Sequence, residues 1–162
     1  MSTISSVSTM PGEGQAGYVL QDLNTLLRQS LKKHEALTRQ QQVILRCASL
    51  PVIPGNQTKL ELLFDHLLQM ILSYPPNGSR LFLNIDCQEQ DGNLSAGHNV
   101  GSMYQILFHT NICSDASWKE ANRNKLTECM EILALHNGAL GVNTIENTGC
   151  LFVISLPGKM ND

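Results

Sequence analysis

Several polar side chains in this 162-residue chain sit where chemistry could be done. His34 lies in "KKHEAL", an imidazole beside an acid on a helical stretch, which bears a slight resemblance to a phospho-accepting helix. Asp65 and His66 adjoin in "LFDHLLQMILSY", and Cys113, Ser114 and Asp115 follow one another in a loop-like stretch. A nucleophile needs a base or a depressed pKa to be active at neutral pH. No GxSxG elbow supplies that context, and nothing adjoining Cys113 lowers its pKa. For His34 and for the Asp65 and His66 pair, the plainer reading is a solvated helix surface. His98, His109 and His136 lack metal-ligand spacing, and the five cysteines contain no CxxC pair, so they read as reduced and mostly buried. Trp118 stands among Lys119, Glu120, Arg123 and Lys125: exposed, it is a contact anchor with a charged rim; buried, it is a plug.

These residues must be held by elements that the apolar periodicity outlines. Leu20, Leu23, Leu27 and Leu31 predict a helix over 19–37, and "VILRCASL" a strand closed by the turn "PVIPGN". Asn56 or Thr58 caps a second helix whose stripe runs Leu60, Leu63, Phe64, Leu67, Leu68, Ile71 and Leu72 up to "YPPNG". Leu81, Leu83, Ile85 and Cys87 alternate in one strand, Ile106 and Phe108 in the next, and a Gly/Asn-rich loop over 89–102 joins them. A third helix over 121–136, with Leu126, Cys129, Met130 and Leu133 inward and Gly138 as its stop, precedes a hairpin of "ALGVNTI" and "GCLFVISLP". This order predicts an α+β two-layer sandwich, with helices on one face of a mixed, mainly antiparallel sheet.

Residues 1–17 read as a flexible tail or linker, 18–158 as one domain and 159–162 as a second tail. Net charge is −3 with the signs interspersed, which disfavours nucleic acid and anionic membranes as partners. With no leader-like segment and no apolar run of spanning length, the expected location is the cytoplasm, without membrane insertion.

Three stretches, "LELLFDHLLQMILSY", "LTECMEILALHNGALGV" and "TGCLFVISLPG", occur in the order found in the catalytic, ATP-binding domain of sensor histidine kinases. The chain resembles that domain, in the gyrase and histidine-kinase ATPase superfamily, over about residues 18–158. The resemblance implies the Bergerat-type ATPase fold and an ancestry in ATP-dependent phosphorylation.

That chemistry needs a divalent cation and a cradle for phosphates. The family's asparagine box, NLLxNA, laid on "HLLQMI" puts its first Asn on His66 and its metal-binding Asn on Met70, whose thioether is a poor magnesium ligand. The adenine-binding Asp of the DxGxG box falls at or near Thr110, and the nearest acid, Asp115, has no glycine after it. The lid's GxGLGL motif corresponds to "DASWKEANRNKLTECM", which contains no glycine. Arg123 and Lys125 there read as solvated charges.

The expectation is therefore a degenerate kinase-like domain without catalytic residues, resident metal or cofactor, acting as a regulatory or protein-interaction module in two-component-type signalling. Trp118, Lys119 and Arg123 are its expected contact residues, for a kinase or response-regulator component or for a second copy of the chain. One alternative is an ATP-binding sensor histidine kinase domain with residual activity, using ATP and magnesium. Another is a phosphotransfer protein, which would need a helical hairpin before the first strand.

Overall fold

A computed structural model describes residues 18–74, 80–90, 103–112, 115–145 and 149–158. The expected tails, most of the 89–102 loop and Cys113 lie outside the described residues. The chain opens with β1 (Val19–Asp22), α1 (Leu23–Lys33), α2 (Glu35–Gln40), β2 (Ile44–Cys47) and β3 (Val52–Gly55). It continues through α3 (Gln57–Leu72), β4 (Phe82–Gln90), β5 (Met103–Thr110), α4 (Ala116–Ala121), α5 (Arg123–Leu135), β6 (Ala139–Ile145) and β7 (Gly149–Pro157).

Five strands form a sheet in the order β2-β4-β5-β7-β6, while β1 and β3 pair separately. Only the β2–β4 ladder is parallel; the others are antiparallel. Alternation sends Leu83, Ile85, Ile106, Phe108, Phe152 and Ile154 to one face, where they are buried with the leucines of α1 and α3. Asp86 and His109 stand exposed on the other face. This is the α+β two-layer sandwich, with all its helices belonging to one hydrophobic core.

The first helix starts later than its leucines suggest. Residues 19–22 are strand, because Val19–Asp22 pairs with Val52–Gly55 inside the stretch expected as a turn. Leu20 is 71% exposed, so the buried stripe begins at Leu23, and Asp22 caps the helix by accepting the Asn24 N–H at 3.0 Å. On α5 the expected inward Met130 is exposed and Ile132 is buried in its place, since the helix turns Cys129, Ile132 and Leu133 toward the core. The stop of α5 also differs. Asn137 takes the left-handed conformation (φ 59°), and the Gly138 N–H reaches the Leu133 carbonyl at 2.7 Å, closing a Schellman-type turn. Gly138 is needed for another reason: a Cβ there would lie 2.1 Å from the Ser155 carbonyl oxygen on β7.

His136, at the end of α5, joins that helix to the start of α3. Its Nε2 accepts the Asn56 N–H at 3.0 Å, which makes Nδ1 the donor to the Ile132 carbonyl at 2.8 Å. The ring stacks on Tyr18, with centroids 4.8 Å apart, and the Tyr18 hydroxyl donates to the Leu135 carbonyl. Burial holds the His136 pKa below its ordinary value, against a partial opposing pull from the Ile132 carbonyl. A folded-state pKa below the unfolded one means that the unfolded chain binds the proton first. The contribution is thus complete above the unfolded value, about 6.5, and declines as pH falls through the folded one. The unfolding free energy from urea denaturation should fall on acidification, by at most about 1.4 kcal/mol per pH unit for one proton. His136→Gln should flatten that limb; an unchanged slope in the variant would assign the effect to another group.

Candidate functional site

The site is organised by the C-terminal half of α3. Asn56 begins the helix by accepting the Lys59 N–H at 3.0 Å, and the stripe from Leu60 to Leu72 is buried along its length. Met70 is part of that stripe, with no exposed surface. Carbonyls in the last turn of a helix lack intrahelical donors, and here side chains from elsewhere supply them. Gln41 Nε2 donates to the Leu72 and Tyr74 carbonyls at 3.1 and 3.2 Å, and Trp118 Nε1 donates to the Met70 carbonyl at 3.3 Å.

The stretch between β5 and α5 delivers Trp118 to this point. Asp115 starts α4 by accepting the Trp118 N–H at 3.0 Å, so this acid serves as a helix cap. The indole is 3% exposed, in edge-to-face contact with Tyr74 and Phe152 at centroid distances of 6.2 and 5.7 Å. Asn122, between α4 and α5, is buried and donates from Nδ2 to the Trp118 carbonyl at 2.9 Å and to the Tyr74 hydroxyl at 3.1 Å. Tyr74, Trp118 and Asn122 thus tie the stretch between β5 and α5 to α3 and β7. Asn122 and Tyr74 carry no local sequence signal for this role, apart from the polar break between two helical runs.

The remaining positions are dispersed. Thr110 ends β5 beside Leu83 and Cys150 in register, 2% exposed, and its hydroxyl oxygen has no hydrogen-bond partner. His66 faces α5, where Nε2 lies 3.0 Å from Glu128 Oε2. Asp65 faces α1, accepting from Ser30 at 2.6 Å and from Lys33 at 2.7 Å. Burial raises the Asp65 pKa, but the hydrogen bonds from Lys33 and Ser30 outweigh it and hold the carboxyl below its usual value. His34 hydrogen-bonds through Nδ1 to the Ser30 carbonyl of its own helix.

Trp118 is therefore the buried plug and not an exposed anchor, because its indole is spent on α3. Lys119 and Arg123 remain on the surface, lining an open groove with Leu126, Met130 and Val142; Arg123 reaches Glu120 at 3.4 Å. Among the described residues, no cluster of three or more His, Cys, Asp or Glu side chains could hold a metal. Burial pushes the Cys129 thiol up to about 12, Glu128 adding to the effect, which suits a core residue and not a nucleophile.

No family model matches the sequence, and no curated protein matches it by sequence. Solved structures do match by shape. The catalytic domain of the histidine kinase ThkA superimposes with a TM-score of 0.66 at 15% identity, covering 89% of this chain and 99% of that one. The mycobacterial sensor histidine kinase MprB gives 0.63 at 15%, with the same coverage. The ATP-binding domain of PrrB from Mycobacterium tuberculosis gives 0.57 at 17%, covering 87% of this chain and 97% of that one. Helices packed on a mixed, mainly antiparallel sheet are thus the fold of the ATP-binding catalytic domain of sensor histidine kinases, and this chain has that fold.

Proposed function

We propose that this domain keeps the histidine-kinase catalytic fold without its nucleotide chemistry and serves as a regulatory or protein-interaction module in two-component-type signalling. One observation carries the reading: the buried Trp118 indole is bonded to the backbone of Met70, the residue on which the sequence resemblance lays the family's metal-binding asparagine. The residues at the nucleotide positions do not fit magnesium-ATP. Met70 offers a buried thioether where a hard oxygen is needed, and Asp115, the acid nearest the adenine position, is engaged in capping α4. The partner is a kinase or response-regulator component, or a second copy of the chain, in the cytoplasm. Lys119 and Arg123 beside the Leu126 and Met130 groove offer it a charged rim around apolar surface. No helix among the described residues is long and apolar enough to cross a membrane.

The fold likeness itself favours a second reading, an ATP-binding catalytic domain with residual activity, in which Trp118 would have to leave its seat. Calorimetric titration with magnesium-ATP separates the two. The expected result is binding no tighter than about 1 mM, or −4 kcal/mol. A micromolar, magnesium-dependent constant would return the domain to the ATP-binding class.

A further inference from the structure

β2 lies at one end of the five-stranded sheet, and no described strand pairs with its outer side. Its inner side is committed to the parallel ladder with β4: the Ile44 N–H bonds to the Leu81 carbonyl and the Ala48 N–H to the Ile85 carbonyl, both at 2.8 Å. In a parallel ladder, alternate residues point both backbone groups the same way, so Leu45 and Cys47 direct theirs outward. Edges of this kind are templates for another strand.

The surroundings specify what that strand would be. On the helix side, Leu31, Val43, Leu45, Leu72 and Leu83, together with Lys32, Glu35 and Thr38, line a mainly apolar trough of about 400 Å³ alongside the edge, with Leu45 itself 40% exposed. Arg39 and Arg80 flank a hollow that shares Thr38 and Val43 with the trough, and Arg28 flanks another that shares Leu31. Leu45 faces the trough, so Arg46 projects from the opposite face of β2, and it is exposed. Among the described residues Arg39 is paired with Glu35, while Arg28, Lys32, Arg46 and Arg80 enter no salt bridge. Among the described residues, Asp22, Glu35 and Asp86 are the acids at this edge, and Glu35 is taken up by Arg39, so these four cations leave the edge with an excess of positive charge in a chain whose net charge is −3.

We propose that the outer edge of β2 is a docking site for an extended acidic segment of a protein partner. The segment adds to the five-stranded sheet as a sixth strand. Its alternate residues face opposite sides: apolar ones enter the trough beside Leu45, and carboxylates face Arg46, while Arg28, Lys32 and Arg80 around the trough add longer-range attraction for an acidic segment. A second copy of this chain is disfavoured as occupant, because two such edges would bring Arg46 against Arg46. The proposal names the chemistry of a partner and rests on the reading of the domain as an interaction module. The nucleotide titration tests that reading at Trp118, and a peptide series tests only β2, so the two fail separately.

The probe is a fluorescein-labelled peptide of alternating valine and glutamate, titrated against the full chain by anisotropy, with a valine and lysine peptide as its counterpart. The acidic peptide should bind at least tenfold more tightly, and Arg46→Glu should invert the preference. Methylating the peptide amides that face β2 should abolish binding while leaving the protein untouched. If Arg46 only guards the edge against aggregation, both peptides will bind equally poorly, and the proposal falls. It also falls if the methylated peptide binds as well as the parent. The same holds if the Leu45 and Cys47 amides of the free full chain are already protected from hydrogen exchange, for then the chain covers its own edge.

Discussion

Trp118→Ala is expected to destabilise the domain by about 3–5 kcal/mol, making it one of the most damaging substitutions outside the sheet. The indole is 3% exposed and contacts Tyr74 and Phe152, so its removal leaves a cavity bounded by residues 44 and 34 positions away in sequence, which their own elements hold in place. It also strips the Met70 carbonyl of its donor at the end of α3. Trp118→Phe separates the two contributions, since it keeps ring packing and loses only the N–H, a change of about 1–3 kcal/mol for a buried orphaned acceptor. Urea denaturation of the three proteins reads both. A loss below about 1 kcal/mol for the alanine variant, within the range of ordinary surface substitutions, would mean that the indole is not seated on α3. Neither variant should gain magnesium-ATP binding, because Met70 still presents a thioether. Micromolar binding by Trp118→Ala would reveal a nucleotide site beneath the tryptophan and overturn the proposed function.

How far the sequence discloses this arrangement depends on the range of the interactions. α3 is legible to its cap, because Asn56 and a run of buried leucines, phenylalanine and isoleucine repeat over 16 residues with one period. The alternation in β4, β5 and β7 is equally plain. β1 is not legible: it is a strand because Val19–Asp22 meets Val52–Gly55 some thirty residues later, and no local pattern records a hydrogen bond to a distant segment. Leu20, at helical spacing from Leu23, reads as part of the stripe although it is exposed. The same limit applies at the site. Met70 is readable as a core residue, and Asp115 as a polar residue before a helix. That Trp118 would reach back 48 residues to the Met70 carbonyl, with Asn122 holding Tyr74 across the same span, depends on how α4 is seated.

Gly149→Ala should cost about 2–5 kcal/mol, from positive-φ strain together with a clash that nothing flexible can relieve. Gly149 has φ 139°, and a Cβ there would lie 1.9 Å from the Thr110 carbonyl oxygen and 2.7 Å from the Asn111 Cα. Both are backbone atoms, so relief requires the ends of β5 and β7 to part where Thr110 and Cys150 stand in register. The Thr110 hydroxyl, already buried without a partner, leaves little slack there. Gly141→Ala on β6 is the control, because a Cβ at Gly141 meets nothing within 4 Å. It should stay within about 0.5 kcal/mol of the parent in urea denaturation. If the two variants unfold at the same urea concentration, β7 does not press on Thr110, and the close approach is wrong. The contrast bears on function as well as on stability. Gly149, Phe152, Leu156 and Pro157 carry the resemblance to the closing strand of the histidine-kinase domain, and the two large apolar side chains among them are buried with the glycine, while Gly149 answers to backbone contact. On the proposed function, Met70 and Thr110, on which the resemblance lays the metal-binding and adenine-binding residues, are where the nucleotide chemistry has been given up. The proposed function therefore expects substitutions at Gly149 to act through packing alone, and those at Met70 and Thr110 to change stability without creating magnesium-ATP binding.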